Sequence, residues 1–94
     1  YLSAKERKKA LVLSRALKTV EGSIRNGTLR ADELADTARR VFAEEPEVRV
    51  DYIAVVNPET LAAVDDVSKG GLIAVAAYVG STRLIDNVLI GPRK

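Results

Sequence analysis

The spacing of apolar residues changes once along this chain, at Pro46, from the period of a helix to the period of a strand. Before it, Ala10, Leu13, Leu17, Val20 and Ile24 recur three and four apart, with Leu11, Val12 and Ala16 widening the stripe. Lys8, Arg15, Lys18 and Arg25 fall on the far side, and Glu21 can pair with Arg25 one turn on. Ser3-Ala4-Lys5-Glu6 fits a capping box and Asn26-Gly27 a stop, so the first helix is predicted over about 4–25. Leu34, Ala35, Ala38, Val41 and Phe42 share a face of a second helix, about 31–45, with Asp32 and Glu33 at its positive end. Asp36 can pair with Arg40, and Pro46 ends the pattern. The short connection predicts antiparallel neighbours.

After Pro46, Val48, Val50, Tyr52, Ala54 and Val56 alternate with Arg49, Asp51, Ile53, Val55 and Asn57, the pattern of a strand with two faces. Asn57 can cap a single helical turn that begins at Pro58. A loop follows, through Asp65-Asp66 and Lys69-Gly70-Gly71. Runs 72–79 and 82–90 flank Gly80-Ser81, which predicts a two-residue hairpin. Its register sets Tyr78 opposite Arg83, Val75 opposite Asp86 and Ala74 opposite Asn87. The expected class is α+β: two antiparallel helices packed on a small, about three-stranded, antiparallel sheet, as one domain over 1–94.

The chain contains no His, Cys, Met or Trp. That excludes a thiol nucleophile, the usual Cys/His zinc sites and the commonest general base. With 94 residues there is room for one core but hardly for a deep active site besides. Fifteen basic residues against thirteen acidic ones give +2, too small an excess for a typical nucleic-acid binder. The longest apolar run, 72–79, is far too short to cross a bilayer. A soluble, cytoplasmic protein is expected. Because the chain opens on Tyr1 rather than Met, it also reads as a trimmed part of something longer.

Arg7-Lys8-Lys9 could touch phosphate, yet a helical charge run usually faces water. Lys69-Gly70-Gly71 lacks the spacing of a P-loop and reads as a flexible loop. Asp65-Asp66 and Glu44-Glu45 read as solvated carboxylates rather than a cation site. The segment 82–87 carries more. Alternation sets Arg83, Ile85, Asn87 and Leu89 on one face and Leu84, Asp86, Val88 and Ile90 on the other. Asp86 then lies on the more apolar side and needs a partner. Arg83 and Asn87 could present polar groups to a ligand or to a second domain.

Tyr1-Leu2-Ser3 with Glu6-Arg7, then Val50-Asp51-Tyr52, Asn57-Pro58-Glu59-Thr60-Leu61, and 80–87 (Gly-Ser-Thr-Arg-Leu-Ile-Asp-Asn) occur in this order. Together they resemble the C-terminal domain of the pantothenate synthetase, or pantoate–β-alanine ligase, family along essentially the whole chain. Asn57 stands where the family commonly has Asp, which changes a charge but keeps a capping side chain. The resemblance implies a nucleotidyltransferase-superfamily ligase. ATP adenylates pantoate, and β-alanine then displaces AMP to give pantothenate. It implies that ATP and Mg2+ are bound mainly by a Rossmann-like N-terminal domain, which is absent here and also forms a homodimer. This chain would be the lid over that site, with no nucleic acid, membrane or metal partner. None of the family's principal catalytic residues maps onto the chain. Tyr1, Arg83 and Asn87 carry over as site-facing candidates only, no cofactor is expected on the fragment, and the fragment alone is expected to be inactive. The alternatives from other classes are a small nucleic-acid-binding module using the basic first helix, or an oligomerisation module.

Overall fold

The computed structural model describes residues 2–92, and Tyr1 lies outside the described residues. The elements are α1 (Ala4–Arg25), α2 (Ala31–Ala43), β1 (Val48–Val56), β2 (Gly71–Val79) and β3 (Thr82–Ile90). The three strands form one antiparallel sheet in the order β1-β2-β3, with both helices on one face, giving the α+β class.

Each element has a local cause. The capping box at the start of α1 is complete: the Glu6 amide donates to Ser3 Oγ at 3.1 Å and the Ser3 amide to Glu6 Oε1 at 3.0 Å. The Ser3 amide, together with the Ser3 hydroxyl, holds the Glu6 carboxyl below the usual glutamate range. Gly27, at φ +98°, ends the helix. The first residue of α2 is satisfied from far along the chain, where the Ala31 amide donates to the Asp65 carbonyl at 2.9 Å. Beside it the Val67 amide donates to Leu29, also at 2.9 Å. Asp36 pairs with Arg39, at 3.5 Å, rather than with the expected Arg40. The Asn57 turn forms as expected, its side-chain oxygen accepting from the amides of Glu59 and Thr60. Leu61 closes it at φ +61°, the lone non-glycine residue with positive φ among those described.

The core lies between the helices and the inner face of the sheet. Val12, Leu13, Ala16, Leu17, Val20 and Ile24 of α1 and Leu34, Ala38, Val41 and Phe42 of α2 meet Val48, Val55, Ile73, Val75, Ala77 and Val79. Leu11, expected to widen the buried stripe, is 63% exposed. It falls among Arg7, Lys18 and Arg25, almost opposite the core-facing line of the helix.

The hairpin turns at Gly80 (φ +61°), the type II′ position that requires glycine, and every expected cross-strand pair is present. In β1 the strict alternation fails. The register shifts between Val50 and Tyr52, so Asp51 is an extra, bulged residue. Val48 and Val50 face the helices, but beyond the bulge Ile53 and Val55 do so, and Tyr52, Ala54 and Val56 turn outward. One added residue reverses the phase of a two-residue period.

Candidate functional site

The outward turn of β1 builds a surface on the uncovered side of the sheet. Cross-strand registry arranges it in rows: Arg49, Tyr78 and Arg83; then Tyr52, Ala76 and Ile85; then Ala54, Ala74 and Asn87; then Val56, Leu72 and Leu89. Asp51 lies between the first two rows. Its carboxylate accepts from Arg83, with Nε at 3.0 Å and Nη2 at 2.9 Å from the same oxygen. The partners stand on the two outer strands, so the guanidinium reaches across β2. Ala76 is small enough to lie beneath that crossing and is fully buried by its neighbours. The Asp51 carboxylate raises the Arg83 pKa further above its already high ordinary value. The Arg83 guanidinium also stands 5.7 Å from the Tyr52 ring, and Arg49 stands 4.9 Å from that of Tyr78.

Arg83 and Asn87 do share this face, as strand alternation predicts. They are not one site, because four residues of strand separate them by roughly 13 Å. Arg83 belongs to the charged and aromatic end, and Asn87 lies among alanines. Sequence reasoning does not bring Arg49, Asp51, Tyr52 and Tyr78 together as a site. The hairpin register, which sets Tyr78 opposite Arg83, is the one signal that points toward them.

Other candidates have structural roles. Asp86 faces inward, half-buried, and its carboxylate accepts from the Asn87 amide at 2.9 Å. Asp66 accepts from the amide and hydroxyl of Ser68, which hold its carboxyl below the usual range. Lys9 of the basic run pairs with Glu47, and Arg15 with Glu44. Gly70 (φ +94°) packs against the Ile90 carbonyl, where a Cβ would come within 2.9 Å. Among the described residues no group of three acids could hold a metal ion, and no helix is long and apolar enough to cross a membrane. The cluster around Arg83 is a salt-bridged platform suited to contact. Its one carboxylate is engaged by an arginine and is poorly placed to act as a base.

Because Asp51 is the extra residue, deleting it leaves Val50 facing in and Tyr52 facing out, and the pairing becomes regular. The deletion variant is expected to keep its helical circular dichroism and a cooperative melt while losing the Arg83 pair. A non-cooperative melt would show that the bulge itself is required for folding.

The chain matches the family described as pantoate-beta-alanine ligase over residues 1–89. It is 55% identical over 91 residues to pantothenate synthetase of Acidobacterium capsulatum, covering 97% of this chain and 30% of that protein. With pantothenate synthetase of Koribacter versatilis it shares 46% over 90 residues, covering 96% and 31%. The crystal structure of pantothenate synthetase from Thermus thermophilus superposes with a TM-score of 0.88 at 39% identity, over 98% of this chain and 33% of that one. The chain therefore spans about a third of the length of these relatives.

Proposed function

Since this chain belongs to the pantoate–β-alanine ligase family, we propose that it is the C-terminal lid domain of an ATP-dependent ligase that joins pantoate to β-alanine through a pantoyl-adenylate. One observation carries this reading. The chain aligns along nearly its whole length with a third of pantothenate synthetases, while its clustered side chains form a platform rather than a catalytic centre. Closure of such a platform over bound nucleotide would exclude water from an acyl-adenylate that hydrolysis would otherwise waste. ATP would bind mainly to the other two-thirds of the polypeptide. Mg2+ would accompany the phosphates of that ATP. Arg83 and Asn87 remain candidates for facing that site, as does Tyr1.

Incubating the 94-residue chain with ATP, pantoate, β-alanine and Mg2+ is expected to yield no pantothenate. The longer ligase lacking this segment is expected to release AMP without matching pantothenate, as unprotected adenylate hydrolyses. Turnover by the chain alone, or tight coupling without it, would overturn the lid reading.

A further inference from the structure

The outer face of the sheet is built as a covered surface, yet nothing among the described residues covers it. On β2 the outward residues Leu72, Ala74, Ala76 and Tyr78 form an unbroken run without a charge, beside the buried Ile73, Val75, Ala77 and Val79 of the inner side. A strand apolar on both sides belongs to a sheet packed on both faces, whereas a solvated antiparallel face alternates with polar residues. The face also carries Ile85 and Leu89, 56% and 66% exposed. At one end stand two tyrosines and two arginines, the residue types that interfaces concentrate.

The β3 edge of the sheet is blunted at one position. In a two-residue hairpin the closing pair, Val79 and Thr82, is hydrogen-bonded, so the amides of 83, 85, 87 and 89 point away from β2. The Asp86 carboxylate accepts from one of these, that of Asn87, and so blunts the edge against a further strand. The candidate occupant is large, since matched relatives are about three times as long as this chain.

We propose that this outer face is the surface by which the chain docks on the rest of the ligase polypeptide, an assignment that rests on the lid reading and specifies its contact side. Ile85 and Leu89 insert into an apolar patch of that polypeptide, and the Arg83–Asp51 pair sits at the Tyr52 end of the contact.

These 94 residues contain no cysteine, so each introduced thiol is read on its own peptide. Four exposed side chains report on separate surfaces: Ile85 and Leu89 on the sheet face, Leu11 on the solvent side of α1, and Leu61 on the β1–β2 connection. Each is replaced singly by cysteine (Ile85→Cys, Leu89→Cys, Leu11→Cys, Leu61→Cys) in the longer ligase. Maleimide labelling is then timed by peptide mass spectrometry, with and without ATP and pantoate. Positions 85 and 89 are expected to label at least tenfold more slowly than 11 and 61. Equal rates at all four, or protection at 11 or 61 instead, overturn the proposal. Protection at 85 and 89 that weakens on dilution assigns the face to a second copy and also overturns it. Protection by nucleotide at 11 or 61 alone would keep the lid while refuting this face. Protection at 85 and 89 with adenylate coupling unaffected by removing the segment would keep the face while refuting the lid.

Discussion

Replacing Val75 by aspartate is expected to abolish cooperative folding at neutral pH. Val75 is fully buried at the centre of β2, between Ile53 on one side and Asp86 on the other. The substitution buries a carboxylate with no cation in the neighbouring register positions, and it sets that carboxylate opposite an existing one at a Cβ separation of about 5 Å. An unpaired buried charge is among the few causes of losses above about 4 kcal/mol, a large share of the roughly 5–15 kcal/mol that holds a domain together. Val75→Lys places a cation opposite Asp86 instead and is expected to retain a urea transition that Val75→Asp lacks. Loss of the transition in both would show that burial alone, and not Asp86, sets the loss. A cooperative Val75→Asp melt near that of the parent would refute the description of this core.

Ile73→Ala is expected to lower stability by about 3 kcal/mol, within the 2–5 kcal/mol that large-to-small substitutions in close-packed cores cost. Ile73 is 1% exposed and lies on the central strand between Val55 and Val88, within the core shared with the helices. For a domain of this size that corresponds to a fall in Tm of roughly 12–24 °C. Calorimetry checks it, with a retained urea m value separating loss of packing from loss of the native state. A shift under about 4 °C would mean that the cavity collapses.

The helices and the hairpin were legible because their causes are local. Ser3 and Glu6 stand three residues apart, Gly80-Ser81 selects its own turn, and pairing in the hairpin counts outward from it. β1 was legible as a strand but not in its phase. Its outward residues beyond Asp51 are Tyr52, Ala54 and Val56, uncharged like the inward Ile53 and Val55, so no charge marks the outer face. The bulge carries no composition signal. The platform was hidden for a related reason: Asp51 and Arg83 lie 32 residues apart and meet only because β1 and β3 flank the same strand. Leu11 shows the reverse error, an apolar residue within a helical run that the helix turns to solvent.

The two hydrogen bonds that hold the start of α2, from the Ala31 amide to Asp65 and from the Val67 amide to Leu29, bear on how the chain reaches this structure. Pro46 divides it into a helical half and a sheet half, and a local reading would let each condense separately. Yet Arg30, at the N-cap of α2, makes no side-chain capping bond, and the leading Ala31 amide is satisfied only once the β1–β2 connection has returned to it. Closing that loop costs entropy before it is rewarded. The second helix should therefore mature late, with the sheet, and fray with it, which makes the two halves one cooperative unit in folding.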